Sequence, residues 1–103
     1  GVFAAPWQPG LLRTVKAITD AAEPVSLPVG VCGESAADPA LAIVLAGLGV
    51  SSVSVAAGAV ESVREALQSV TNDTAEHVAR NTLEATSPGE AKARASEALA
   101  ELA

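Results

Sequence analysis

The chain of 103 residues has a single cysteine, Cys32, in a setting where a thiol could do chemistry. It ends a Val-rich run that predicts a strand, and active-site groups of parallel sheets lie at the carboxyl ends of strands. Gly33 follows at once and lets the backbone turn sharply. A thiol with an ordinary pKa near ~8.5 is mostly protonated at neutral pH, so it can donate a proton. The residues alone leave open the other interpretation, a small buried apolar side chain.

Two carboxylates flank the segment after the cysteine. Glu34 could hold a polar group or the loop itself, whereas Asp38 followed by Pro39 predicts a helix N-cap and a first helical residue. Carboxylates this close could bind a divalent cation, but one short loop rarely supplies a Mg²⁺ site unaided. We therefore interpret Asp38 as a cap and assign no metal site to this chain.

The other polar side chains have simpler interpretations. Ser52 and Ser54 alternate with valines on one face of a second predicted strand, where we expect them to fill a narrow interior. His77 lies in a predicted helix and is interpreted as a solvated residue. Arg13 and Arg64 lie on helices with acidic residues nearby, which predicts surface ion pairs.

Composition excludes several classes of function. The net charge is −6, so there is no basic patch to neutralise phosphates and nucleic-acid binding is not expected. One cysteine excludes an internal disulfide framework and suits the reducing cytosol. The longest apolar run, Ala40 to Val50, is too short to span a bilayer. We expect a cytoplasmic protein without membrane insertion.

Periodicity and punctuation place these residues on alternating elements. Pro9 opens a helix whose apolar stripe ends at Glu23-Pro24, because the residue before proline avoids the helical region. A strand over Val25 to Cys32, with Pro28 marking its true start, is predicted to be buried on both faces. The helix Pro39 to Leu48 is apolar almost all round and should be covered on more than one side.

The second half continues the same pattern. Ser52 to Ala57 predicts a short strand, and Gly58 leads into a helix. The capping boxes Asp73 to Glu76 and Ser87 to Glu90 predict two further helices, the first running to about Ala85. Strand–helix–strand with an apolar crossover implies a parallel pair.

Two parallel strands do not make a finished sheet, because both edges stay open. We therefore expect residues 1–103 to form a single partial domain of an α/β protein. The chain begins at Gly1 without a methionine, which we interpret as a boundary inside a longer protein.

Particular segments resemble a known family. Val29 to Pro39, which reads VGVCGESAADP, closely resembles the Cys-Gly-Glu segment near the end of enzyme I of the bacterial sugar phosphotransferase system. Gln8 to Arg13 resembles that family's His-Pro-Ala-Val-Leu-Arg helix start. Leu48 to Val50 and Val53 to Val55 resemble its Met-Gly-Leu and Phe-Ser-Met strand. The chain departs from the family at Gln8, Ala37 and Ala56, where His, Gly and Ser are usual.

The resemblance implies a fold and a site. The family's C-terminal domain is a (β/α)₈ TIM barrel that binds phosphoenolpyruvate and Mg²⁺ and forms a homodimer. This chain would supply strands 7 and 8 with their helices. Cys32 matches the family's active-site cysteine, the proton donor to the carbon of enolpyruvate, and Gly33 and Glu34 would form the supporting loop.

The implied activity is phosphoryl transfer from phosphoenolpyruvate through an enzyme histidine to the histidine-containing phosphocarrier protein, for sugar uptake. The resemblance places that histidine, the Mg²⁺ carboxylates and the phosphate-binding arginines upstream, so His77 is not the phosphohistidine. We expect no metal or cofactor ligands in this chain, and no activity from it alone. The alternatives are pyruvate phosphate dikinase, with a similar Cys-Gly-Glu loop, a self-association module with open strand edges, and an unrelated α/β domain with a structural cysteine.

Overall fold

The computed structural model describes residues 7–32 and 38–101. The predicted order of helix, strand, helix, strand and three helices is confirmed. The elements are α1 (Pro9–Ala22), β1 (Gly30–Cys32), α2 (Pro39–Gly47), β2 (Ser52–Ser54), α3 (Val60–Gln68), α4 (Asn72–Leu83) and α5 (Pro88–Glu101), with short 3₁₀ turns at Glu23–Val25 and Ala57–Ala59. No helix among these described residues has the length and apolar character needed to cross a membrane.

The two strands pair in parallel, as predicted, but both are shorter than the sequence indicated. β1 excludes Val25, because Pro24 favours a 3₁₀ turn that Ser26 closes in the left-handed region at φ 55°. β2 ends at Ser54 and not at Ala57, which already belongs to the next 3₁₀ turn. The register pairs Gly30 with Ser52, Val31 with Val53 and Cys32 with Ser54.

The prediction that the first strand is buried on both faces is wrong for this chain. Gly30 is exposed and Val31 is half-buried. Val31 and its partner Val53 pack against the core, whereas Ser52 and Ser54 are exposed and do not fill an interior. The reason is that the described helices cover one face of the pair and leave the other open.

α2 lies at the centre of the core. Leu41, Ala42, Ile43, Val44 and Leu45 are all buried, which confirms that this helix is covered on more than one side. It contacts α3, α4 and α5. The apolar crossover helix therefore replaces the missing aromatic residues as the main source of buried surface.

Small residues allow α2 and α4 to approach closely. A Cβ added to Gly47 would lie 2.0 Å from the carbonyl oxygen of Ala75 and 2.9 Å from the Cβ of Ala79. Both alanines are buried. The Ala-rich composition is thus used for tight backbone packing and not for large side-chain contacts.

α1 begins at Pro9 and ends at Ala22, as predicted. Leu12 is buried, and the buried hydroxyl of Thr19 donates to the carbonyl oxygen of Leu48 at the end of α2. The predicted apolar stripe is only partly covered, because Leu11 and Ile18 remain 45% and 51% exposed. Part of this face therefore has no partner among the described residues.

The start of α4 corrects the capping-box prediction. The cap is Thr71 and not Asp73: the Thr71 hydroxyl accepts from the backbone N–H of Thr74 at 3.1 Å, so the helix begins at Asn72. Asp73 lies in the first turn, where its negative charge still favours the helix dipole. The helix ends at Leu83, two residues before the predicted end.

The start of α5 confirms half of its predicted box. The Ser87 hydroxyl accepts from the N–H of Glu90 at 3.1 Å. The Glu90 carboxylate reaches back to the N–H of Thr86 at 2.8 Å, one residue earlier than the box predicts. This backbone bond, together with bonds from Arg94 and the Thr86 hydroxyl, lowers the pKa of Glu90 below its ordinary value.

A candidate active site at the carboxyl ends of the strands

Cys32 is the last residue of β1, and its register partner Ser54 is the last residue of β2. The carboxyl ends of both strands are therefore level, at the edge of the sheet where the sequence predicts an active site. Gly33 and Glu34 lie outside the described residues, so their supporting role stays a prediction. Chemistry at Cys32 also stays a prediction, now attached to a defined strand end.

Asp38 anchors the start of α2 with both carboxylate oxygens. Its Oδ1 accepts from the N–H of Ala40 at 3.0 Å, which confirms the predicted cap. Its Oδ2 accepts from the indole Nε1 of Trp7 at 3.3 Å. Sequence reasoning found the first role and missed the second.

Trp7 is the chain's one tryptophan and is only 5% exposed. It packs in the same core cluster as Leu41 and Val44 of α2. A buried indole N–H needs an acceptor, and that general requirement was the available signal for this contact. Since 31 residues separate Trp7 from Asp38, no local pattern could name the acceptor.

A cavity of about 580 Å³ lies at the opposite end of the strands. Val29 and Ser51, which each precede a strand, line it together with Lys16, Asp20 and Arg80. In barrels built of parallel strands, the amino ends serve stability and the carboxyl ends serve catalysis. Its position therefore separates this cavity from the candidate site at Cys32.

A shallower cavity of about 460 Å³ lies between β2 and α3. Val53, Ser54 and Val60 line it, and so does Arg64. Arg64 pairs with Glu61 at 3.2 Å on the surface, as predicted, and both side chains are mostly exposed. This cavity borders the carboxyl end of β2, so the candidate site has an apolar flank beside α3.

Arg13 does not form the predicted surface ion pair. Its Nη2 donates to the carbonyl oxygens of Leu83 at 3.2 Å and Ala85 at 2.9 Å, at the end of α4. His77 is exposed and its Nε2 lies 3.2 Å from Nδ2 of Asn81, in agreement with a solvated helical histidine. Neither residue lies at the carboxyl edge of the strands.

The described residues contain no group of three or more His, Cys, Asp or Glu side chains placed to hold a metal ion. Asp38 already uses one oxygen on Ala40 and the other on Trp7. The described part of the site therefore offers hydrogen-bonding and packing groups, and its carboxylate is committed to structure.

Comparison with known proteins defines the class. Residues 2–72 match the family model described as the phosphoenolpyruvate-binding domain of phosphoenolpyruvate-utilising enzymes, and the chain belongs to this family. It is 44% identical over 90 residues to a phosphoenolpyruvate-protein phosphotransferase of Streptomyces coelicolor, covering 87% of this chain and 16% of the relative. It is 39% identical over 83 residues to a protein of the same name from Haloferax volcanii, covering 81% and 15%.

These relatives confirm the resemblance to enzyme I that the Cys-Gly-Glu segment indicated. The chain spans about one sixth of the length of either relative. It is an α/β chain with two parallel strands inside a predominantly helical fold.

Proposed function

We propose that this chain is the closing part of the phosphoenolpyruvate-binding barrel of a phosphoenolpyruvate-protein phosphotransferase, and that Cys32 is its proton donor. The observation that carries the proposal is the position of Cys32 at the carboxyl end of β1, level with the end of β2, in a chain of the phosphoenolpyruvate-binding family. Active sites of parallel barrels are built at that end.

The proposed step balances at carbon and sulfur. When the phosphoryl group leaves the enol oxygen of phosphoenolpyruvate for a histidine nitrogen, the enolate of pyruvate remains. The S–H bond of Cys32 then breaks and a C–H bond forms at the methylene carbon, giving the methyl group of pyruvate and a thiolate. Water returns a proton to sulfur. A positioned acid of this kind contributes about 10²–10⁴-fold to a rate.

The open face of the strand pair supports the barrel assignment. Ser52 and Ser54 are exposed on that face, and both strands are three residues long with unpaired edges within the described sheet. In a closed (β/α)₈ barrel such edges pair with neighbouring strands. We therefore place residues 1–103 as one partial domain, the last two strands with their helices.

The remaining parts of the proposal concern the longer protein. The phosphohistidine, the Mg²⁺ ligands and the phosphate-binding arginines lie outside this chain, and Gly33 and Glu34 support the cysteine. The phosphoryl group passes to the histidine-containing phosphocarrier protein in sugar uptake, in a cytoplasmic homodimer. The names of both relatives favour this activity over that of pyruvate phosphate dikinase.

The test uses the longer enzyme that contains this chain. Cys32→Ala should abolish turnover of phosphoenolpyruvate while the melting temperature stays unchanged. Ser54→Ala is the matched control, because it removes a polar atom from the paired position at the same edge and should keep turnover. Normal turnover by a folded Cys32→Ala variant would overturn the catalytic assignment.

One observation favours a second candidate, a self-association module. Val25 and Leu27, just before β1, are 71% and 63% exposed, and they lie beside an open strand edge. Exposed apolar residues next to an unpaired edge promote pairing with another chain. This candidate concerns the chain by itself and does not need the cysteine.

A further inference from the structure

The Asp38 carboxylate does more than a helix cap requires. One side-chain oxygen is enough to cap a helix, and here Oδ1 serves that purpose on the N–H of Ala40. Oδ2 is held separately by the indole N–H of Trp7 at 3.3 Å. Two bonds from two different segments fix the orientation of the carboxylate, which a cap alone leaves free to rotate.

Trp7 is well placed to act as a fixed anchor. It is 5% exposed and packs in the core with Leu41 and Val44, so its ring cannot follow movements of Asp38. An aliphatic residue at position 7 could fill the same core space but could not hold a carboxylate. The N–H group of the indole is therefore the feature that packing does not explain.

The sequence connects this anchor to Cys32. Cys32 is fixed by strand pairing at the end of β1, and Asp38 begins α2 after five intervening residues. The cost of ordering a short connection depends on how firmly its two ends are held. Loosening Asp38 therefore removes one of the two constraints on the segment that begins at the cysteine.

We propose that Trp7 is a positioning residue for Cys32, acting through Asp38. This inference rests on the proposed role of Cys32 as proton donor. In the longer enzyme, Trp7→Phe should lower kcat while KM stays close to its original value, because the proton donor is displaced but the substrate contacts are not changed.

The decisive experiment measures the thiol in this 103-residue chain and needs no turnover. Trp7→Phe keeps an aromatic ring and removes the N–H. Asp38→Asn keeps a capping oxygen and replaces the acceptor facing Trp7 with a donor. Each variant should raise the rate constant for alkylation of Cys32 by iodoacetamide about fivefold, the factor that corresponds to one hydrogen bond of about 1 kcal/mol. The double variant should show the same fivefold change.

Val78→Ala is the control for general loss of stability. Val78 is fully buried in α4, so this variant should lower the melting temperature without changing the alkylation rate under folding conditions. The indole N–H resonance, unique in this chain, reports the bond directly: its hydrogen exchange should accelerate in Asp38→Asn.

Three results would overturn the inference: an unchanged alkylation rate in Trp7→Phe, an equal change in Val78→Ala, or additive effects in the double variant. Failure of the proposed function is a separate result, normal turnover by Cys32→Ala. The thiol measurements therefore decide the role of Trp7 even if Cys32 proves not to be catalytic.

Discussion

The guanidinium Nη2 of Arg13 in α1 donates to the carbonyl oxygen of Ala85, 72 residues further along the chain, at 2.9 Å. The same nitrogen reaches the carbonyl of Leu83, the last residue of α4. Carbonyls at a helix end have no partner within the helix, and a cation there also favours the helix dipole. Arg13 therefore ties the first helix to the turn between the last two.

Replacing Arg13 should be costly for a residue at the surface. Arg13→Ala removes charged hydrogen bonds to two carbonyls, and we expect a loss of about 1–3 kcal/mol in the free energy of unfolding. Arg64→Ala, which breaks an exposed pair with Glu61, should cost less than about 1 kcal/mol. Urea unfolding measures both. Equal losses in the two variants would contradict the role given to Arg13.

The α2–α4 contact predicts a strong effect at Gly47. Gly47→Ala places a methyl group 2.0 Å from the carbonyl oxygen of Ala75, so the helices must separate. We expect a loss of about 3 kcal/mol, the upper end of the range for overpacking, despite the better helix propensity of alanine.

Gly10→Ala is the matched control for Gly47. Gly10 is also helical, but an added Cβ there has no atom within 4 Å. The substitution should be neutral or stabilising by up to about 1 kcal/mol. Thermal unfolding of the two variants should therefore shift in opposite directions, and a stabilised Gly47→Ala protein would show that the helices are further apart than described.

Glu90 predicts a pH dependence at the start of α5. Its pKa is lowered in the folded chain, first by the backbone N–H of Thr86 and next by Arg94. A depressed folded pKa gives stability that is fully present above the unfolded value of 4.5 and is lost as pH falls through the folded value. Glu90→Gln should therefore flatten the stability curve below pH 4.5.

The control for Glu90 is Glu97→Gln, an exposed position on the same helix. This variant makes the same change in net charge, so it separates the local bonds from overall repulsion. The acid part of its stability curve should follow that of the unmodified chain. A Glu90→Gln curve with the original acid slope would contradict the predicted contribution.

The exposed apolar residues before β1 predict self-association of the 103-residue chain. Sedimentation velocity should show association that increases with concentration, and Leu27→Lys should weaken it, because a charge would be placed in the contact. Ala100→Lys adds the same charge at an exposed position of α5 and should leave association unchanged. A chain that stays monomeric at high concentration would rule out this behaviour.

Local chemistry made some parts of the fold predictable. Pro9 and the pair Asp38-Pro39 begin helices where the sequence indicates, because caps and first-turn prolines act within three residues. The α4 cap was missed by two residues, because Thr71 and Asp73 are both good caps and the sequence alone does not rank them. The family motif named Cys32, and the structure confirms its strand.

Contacts between distant segments could not be predicted. Trp7 meets Asp38 across 31 residues and Arg13 meets Ala85 across 72, and neither contact leaves a periodic pattern in the sequence. The expectation that β1 is buried on both faces came from its continuous apolar run. That pattern reports the sheet for which the strand is suited, and the described helices cover one face of it.

The central claim is that Cys32 moves a proton to and from carbon, and exchange of the methyl hydrogens of pyruvate tests it most directly. The longer enzyme is incubated with pyruvate and Mg²⁺ in D₂O, and the methyl signal is followed by proton NMR. The account predicts that the unmodified enzyme and Ser54→Ala accelerate loss of the signal, while Cys32→Ala exchanges at the rate without enzyme. Exchange by Cys32→Ala as fast as by the unmodified enzyme would contradict it.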